Sequence, residues 1–358
     1  QSRSSVVGGV LTLSNLSRLR ELVRVAKLYY EENLSEQEIA LSCGTSRSSV
    51  SRMLAEARRR GIVTISFTSF NREGSAEAKG LRLTYGLKDV VLIPKIGSGS
   101  EARLKERLGA AAAAYIAEVI QPGQMVGVSW GTTLLEVALK LRARRVPGVS
   151  VVQLNGSVGQ GGASYLGAQV LEMIAGKLGA KAVLFPAPAI VGDPALSEAL
   201  MKDVSITEAL EAARGCDVAI FTVGVVDPAC VLVAAGYLTA NDMRRLQTYG
   251  AVGDICSRFF DSQGRICDPE LDRRTLGLCL SDLAAIPLKI LVAGGRQKLA
   301  GILGALRAGY ADVLITDEMT ASGLEELTKN GMLTPTDVQA NAELDGDLLR
   351  GGGTSRWA

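Results

Sequence analysis

Residues 125–140, MVGVSWGTTLLEVALK, contain a largely apolar run, a Gly-Thr-Thr turn and an amphipathic segment in immediate succession. The apolar run predicts a strand over Met125–Trp130, and the spacing of leucine, valine and alanine after the turn predicts a helix over Leu134–Ala143. A strand this apolar has no side that faces water. It is therefore typical of a parallel sheet covered by helices on both faces.

The same alternation of apolar runs and helical patterns recurs along most of the chain. We predict further strands at Val90–Ile93, Val149–Leu154, Ala182–Pro186, Val218–Val223, Lys289–Ala293 and Val313–Thr316. We predict further helices at Glu101–Ile120, Leu166–Leu178, Leu196–Ala213 and Gln297–Ala308. Strands that alternate with helices form an α/β fold. We therefore predict a doubly wound parallel-sheet domain over residues 81–330.

A different pattern precedes it. Helical spacing covers Ser14–Tyr30, a capping box at Ser35 begins a short helix, and a third helix follows over Arg47–Arg59. Ile62–Phe67 then has the composition of a strand. This order predicts a winged helix-turn-helix domain over residues 14–67. We expect residues 1–13 and 331–358 to be terminal tails and residues 68–80 to be a linker.

The third helix is the expected recognition helix. Residues 1–70 carry 10 Lys and Arg against 6 Asp and Glu, whereas residues 71–358 carry 29 against 31, so the positive charge is concentrated where DNA would bind. Hydroxyls and a helix N-terminus suit phosphate oxygens, and arginine suits guanine edges. The predicted DNA-binding residues are Ser46, Arg47, Ser48, Ser49, Ser51 and Arg52. A dimerisation module with a basic solvated face predicts the same pattern.

Composition excludes several functions. The chain has no histidine, which excludes His-dependent hydrolases and His-ligated zinc, and it has no Walker A sequence. Its six cysteines form no CxxC pair and are typical of reduced cytoplasmic proteins. Its longest uncharged stretch, Val146–Leu171, is interrupted by proline and glycine and is no membrane span. We expect a cytoplasmic protein without a metal, a cofactor or a membrane partner.

Ligands of open α/β sheets bind beyond the carboxyl ends of the strands. Gly131, Thr132 and Thr133 follow one predicted strand and offer backbone amides and hydroxyls to a phosphate, although a capped tight turn has the same sequence. Glycines at other strand ends allow close approach of a ligand; they include Gly156, beside Asn155, and Gly224. Lys298 supplies a cation or is a surface lysine. Asp254 suits sugar hydroxyls or is a helix N-cap.

These motifs together resemble the SorC family of sugar-responsive bacterial transcriptional regulators, also described as sugar-binding and DeoR-like. The resemblance covers about residues 20–330. It is carried by LSEQEIA at 34–40, SSVSR at 48–52, VGVSWGTT at 126–133, GAVGD at 250–254, AGG at 293–295 with Lys298, and DVLITD at 312–317.

The resemblance implies a homotetramer that binds operator DNA through its N-terminal domain. It also implies an effector domain similar to phosphosugar isomerases, without catalysis. Thr132 and Thr133 would hold the phosphate of the effector with help from Lys298, Asn155 and Gly156 would line the sugar, and Asp254 would accept its hydroxyls. Arginines that some relatives place after Asn155 and near Tyr237 are absent here. The implied effector is a sugar phosphate or an unphosphorylated polyol.

Two other functions fit parts of the pattern. One is a phosphosugar isomerase or deaminase with an appended basic domain, in which Asp254 is the base and Lys298 holds the anion. The other is a DNA-binding scaffold without a ligand, which leaves the glycine-rich strand ends without a purpose. We therefore predict a regulator of a carbohydrate or polyol operon that a small effector controls.

Overall fold

The computed structural model describes residues 13–30, 32, 34–60, 62–63, 75–94, 100–157 and 165–329. The chain divides into two compact units between residues 69 and 70, and each is described by itself. The predicted tails lie outside the described residues except for Leu13, and so do most of the predicted wing and linker.

The described residues of the first unit form three helices: α1 (Leu13–Tyr30), α2 (Glu36–Ser42) and α3 (Arg47–Arg59). Ser35 and Glu38 form the predicted capping box at the start of α2. Gly44 has a φ of 62°, a left-handed conformation that suits the tight turn between α2 and α3. The three helices bury a small apolar core that includes Leu22, Ile39, Val50 and Leu54.

The second unit contains a seven-stranded sheet in which every strand pair is parallel. Its strands are β1 (Asp89–Ile93), β2 (Met125–Val128), β3 (Ser150–Gln153), β4 (Lys181–Val183), β5 (Val218–Phe221), β8 (Leu288–Val292) and β9 (Val313–Asp317); β6 and β7 form a separate hairpin, given below. The strand order in the sheet is β1-β9-β8-β5-β2-β3-β4. All seven strands overlap the predicted ones.

The helices of this unit connect the strands and cover the sheet. They are α4 (Ala76–Tyr85), α5 (Glu101–Val119), α6 (Thr132–Lys140), α7 (Leu166–Leu178), α8 (Pro194–Leu200), α9 (Val204–Arg214), α10 (Val231–Ala234), α11 (Ala240–Thr248), α12 (Pro269–Arg273), α13 (Leu280–Ala285), α14 (Leu299–Arg307) and α15 (Glu318–Lys329). Alternate strand residues enter two separate cores, as Val90 and Val91 do in β1. Both faces of the sheet are therefore covered, which agrees with the predicted α/β class.

Three details differ from the sequence prediction. The predicted helix Leu196–Ala213 is two helices, because Asp203 caps α9 by accepting the N–H of Ser205 and interrupts the helical pattern. The last residues of the predicted linker belong to α4, which Ser75 caps. A hairpin of β6 (Gly253–Ile255) and β7 (Arg258–Phe260), between β5 and β8 in the chain, was not predicted. No helix in the described part of the chain is both long and apolar enough to span a membrane.

Candidate effector-binding site

The connections that follow β2 and β5 run in opposite directions along the sheet, so these neighbouring strands form its switch point. A cleft of about 2270 Å³ opens there. Its lining includes seven of the eight predicted effector-binding residues: Gly131, Thr132, Thr133, Asn155, Gly224, Asp254 and Lys298. Strand ends separated by more than a hundred residues in the sequence thus meet in one place.

Helix α6 presents its N-terminus to the cleft. Its N-cap is Gly131, whose φ of 148° suits glycine and which has no side chain to accept the first amides of the helix. Thr132 is exposed and Thr133 is buried, and both line the cleft. Uncapped amides at the positive end of a helix dipole attract an anion.

Lys298 lies at the end of a short 3₁₀ helix, Arg296–Lys298, that follows β8. Its Nζ donates a hydrogen bond of 3.2 Å to Oγ1 of Thr222, at the end of β5. Burial and then the nearby charge of Lys105 lower the pKa of Lys298 to about 8, while Asp254 acts in the opposite direction. The residue is therefore a half-buried cation at neutral pH and not a free surface lysine.

Asp254 lies in β6, so the alternative of a helix N-cap is wrong. Its backbone carbonyl accepts the N–H of Gly224 at 2.9 Å, and its Oδ2 accepts the N–H of Ser257 at 3.1 Å. Burial raises its pKa to about 6, and the Ser257 N–H and the charge of Lys298 partly offset this rise. The carboxylate and the Lys298 ammonium line the same cleft, which suits a ligand with both hydroxyl and anionic groups.

Asn155 lies just beyond β3, and its side chain is almost fully buried at the wall of the cleft. Gly156 was predicted to line the sugar, but it is not among the residues that line the cleft. Its carbonyl accepts the indole N–H of Trp130 at 3.0 Å, and a Cβ at this position would lie 2.2 Å from the carbonyl oxygen of Pro188. Gly156 is therefore required by backbone packing.

Sequence reasoning missed Cys256 and Ser257, which form the two-residue turn of the β6–β7 hairpin and line the cleft. Both have positive φ, 52° and 68°. Turns of this kind are usually Asn-Gly or Asp-Gly, and no such signal is present. Thr222, the partner of Lys298, lies within the predicted strand Val218–Val223 and was not predicted as a site residue. No group of three acidic, Cys or His residues in the described ranges is arranged to hold a metal ion.

The predicted DNA-contacting residues lie at the start of α3. Ser46 is its N-cap and accepts the N–H of Ser49 at 3.2 Å. Arg47 is exposed and lies 3.4 Å from a carboxylate oxygen of Glu36. Arg52 is exposed and donates to the carbonyl of Ser48 at 3.3 Å. Ser48 and Ser51 are also exposed, so this helix face is accessible within its unit.

Residues 70–324 match the protein family described as "Putative sugar-binding domain". The "Deoxyribonucleoside regulator" of Bacillus subtilis is 35% identical over 304 residues, which are 84% of this chain and 96% of the relative. The "Transcriptional regulator LsrR" of an Enterobacter strain is 30% identical over 307 residues, 84% of this chain and 91% of the relative.

Among solved structures, the full-length sorbitol operon regulator SorC of Klebsiella pneumoniae matches with a TM-score of 0.63 and 28% identity, covering 86% of this chain and 99% of that one. The fold, the cleft and these relatives define a transcriptional regulator with a sugar-binding α/β domain. The chain belongs to the SorC family of sugar-binding transcriptional regulators. It is a regulator that a sugar effector controls.

Proposed function

We propose that the cleft at the switch point binds a small phosphorylated sugar or sugar alcohol and that binding changes the affinity of the protein for operator DNA. The observation that carries this proposal is the meeting of the α6 N-terminus, Lys298 and Asp254 in one cleft. The helix end and the ammonium attract an anion, and the carboxylate accepts hydroxyl groups. An unphosphorylated polyol would contact the Asp254 carboxylate and would leave the α6 N-terminus and Lys298 without an anion.

We propose that α2 and α3 belong to a winged helix-turn-helix domain over residues 14–67 and that the exposed arginines of α3 contact the operator. The basic charge of residues 1–70 and the exposure of Arg47 and Arg52 support this assignment. A homotetramer in the cytoplasm, with residues 81–330 as the effector domain, is the arrangement that the family implies. The relatives regulate transcription, and we propose that this chain binds its effector without converting it.

The test is a thermal-shift panel that pairs sugar phosphates with their unphosphorylated parents. A ligand at about 100 times its Kd stabilises the folded state by about 2.7 kcal/mol. We expect stabilisation by phosphorylated members only. Stabilisation by free polyols alone would contradict the phosphate site. Turnover of ribose 5-phosphate or glucosamine 6-phosphate that Asp254→Asn abolishes would contradict the non-catalytic assignment.

A further inference from the structure

Ser257 links two walls of the cleft. Its backbone N–H donates to Oδ2 of Asp254 at 3.1 Å, and its hydroxyl oxygen accepts a hydrogen bond from Nδ2 of Asn155 at 3.2 Å. Asp254 and Asn155 are 99 positions apart in the sequence and come from different elements. One serine therefore contacts both of the polar side chains that face a sugar in the proposed site.

The hydrogen bond to Ser257 fixes the orientation of the Asn155 amide. Of the two N–H groups at the donor end of this amide, one is engaged by Ser257. Its acceptor, Oδ1, has no hydrogen-bond partner in the described part of the chain, although the Asn155 side chain is only 2% exposed. A buried acceptor without a donor is costly, and Asn155 lines the cleft, so we infer that an effector bound there supplies the missing donor.

Gln153 has a second buried amide whose oxygen, Oε1, lacks a hydrogen-bond partner among the described residues, but it lies outside the cleft lining. Its Nε2 donates to the Asn155 carbonyl at 2.7 Å and to the Ser157 hydroxyl at 2.8 Å, which holds it behind the site. We therefore assign a ligand contact to Asn155 and none to Gln153.

The backbone conformation of Ser257 allows a substitution that removes its hydroxyl without disturbing the turn. Its φ of 68° is one that glycine adopts without strain. Glycine would therefore satisfy the turn and would also retain the N–H that Asp254 accepts. What glycine would lack is the hydroxyl that holds Asn155.

We propose that Ser257 is a positioning residue that orients Asn155 as a hydrogen-bond acceptor beside the acceptor Asp254. It thereby makes the site selective for an effector that donates hydroxyls to both. This proposal rests on the proposed function, because it concerns the sugar-facing half of the same cleft. A site built to accept a hydroxyl discriminates against ligands that lack it, since its buried acceptor is then left unpaired.

The test compares Ser257→Gly and Ser257→Ala, which both remove the hydroxyl, while only the first relieves the positive φ. Binding is measured by calorimetry for inorganic phosphate and for ribose 5-phosphate, 2-deoxyribose 5-phosphate, sorbitol 6-phosphate and glucosamine 6-phosphate. We expect both variants to bind the tightest of these sugar phosphates about tenfold more weakly than the wild type and to bind inorganic phosphate unchanged. Equal loss for inorganic phosphate, or no loss for the sugar phosphate, would overturn the proposal.

A crystal structure of the ligand-free Ser257→Gly protein at about 1.2 Å, with the amide assigned from its contacts, provides a readout that needs no effector. We expect the Asn155 amide to turn or move once its partner hydroxyl is gone. An unchanged amide would overturn the role of Ser257. A wild-type protein that binds no sugar phosphate more tightly than inorganic phosphate would count against the proposed function, and the crystal structure would still decide this inference.

Discussion

The carboxylate of Asp254 lies directly over Gly224, so that a Cβ built on Gly224 would be 1.9 Å from Oδ1 of Asp254. The two residues also form an isolated antiparallel bridge, in which the Gly224 N–H donates to the Asp254 carbonyl. The end of β5 and the β6–β7 hairpin can approach this closely because residue 224 has no side chain. This contact places Asp254 in the cleft beside Lys298.

Gly224→Ala should therefore displace the Asp254 carboxylate or open the bridge. We expect loss of the effector-induced thermal shift and a loss of about 1–3 kcal/mol in the free energy of unfolding, as in other overpacked sites. Gly176→Ala is the matched control, because nothing lies within 4 Å of a Cβ at this position in α7. There alanine should stabilise by up to about 1 kcal/mol and leave the response intact. A normal response in Gly224→Ala would show that Asp254 does not contact the effector.

Asp254→Asn should make the ligand-free protein more stable while abolishing its response to effector. Burial raises the Asp254 pKa from 3.8 to about 6, so the folded state disfavours the ionised carboxylate. The wild type therefore loses stability as the pH rises from about 4 to about 6, and the difference is constant above that range. This shift corresponds to at most about 3 kcal/mol.

Urea unfolding of both proteins at pH 4, 5, 6 and 7.5 checks this prediction. The stabilising effect of the substitution should be smallest at pH 4 and fully present at pH 7.5. Asparagine retains an oxygen that can accept the Ser257 N–H, so the hairpin should remain folded. A stabilising effect that is equal at every pH would contradict the assigned pKa shift.

Lys298 should make the binding of a phosphorylated effector sensitive to alkaline pH. Its pKa is lowered to about 8, so it loses its charge between pH 7 and pH 9, and the affinity for a phosphate dianion should decline over that interval. Lys298→Met should weaken binding at pH 7 by about tenfold or more and remove this decline. Arg296→Met, in the same 3₁₀ helix but exposed, should retain it. Calorimetry at pH 7, 8 and 9 distinguishes the variants, and a decline that persists in Lys298→Met would exclude Lys298 as its cause.

Six of the seven strands were predictable because each is a short apolar run that is largely buried, whereas the edge strand β4 is exposed at Lys181 and only half-buried at Ala182 and Val183. The clustering of Thr132 and Lys298 followed from the rule for strand ends, once the sheet was assigned. Asp254 was expected in a glycine-flanked turn, and only the family resemblance assigned it to the same site. The position of Gly156 outside the cleft lining could not be predicted, because the approach of the Pro188 carbonyl is a tertiary contact that no local pattern encodes. The turn at Ser257 was missed because it lacks an Asn-Gly or Asp-Gly sequence; a local hydrogen bond to the Asp254 carboxylate and a tertiary one from Asn155 contact Ser257 instead.

Arg52→Ala should lower the affinity for the specific DNA sequence more than it lowers the affinity for DNA of unrelated sequence. Arg52 is exposed on α3, where an arginine can contact a guanine edge, and such a contact contributes about 1–3 kcal/mol of discrimination. Arg24→Ala removes the same charge from α1 and should lower affinity for all DNA sequences alike, if it lowers affinity at all.

The probes are a DNA fragment that the wild type selects from a random library and a scrambled fragment of equal length. The ratio of the two affinities should fall in Arg52→Ala and stay unchanged in Arg24→Ala, while the effector-induced thermal shift is retained in both. Equal ratios in the two variants would mean that Arg52 contacts phosphate alone, and an unchanged affinity in Arg52→Ala would mean that α3 is not the recognition helix.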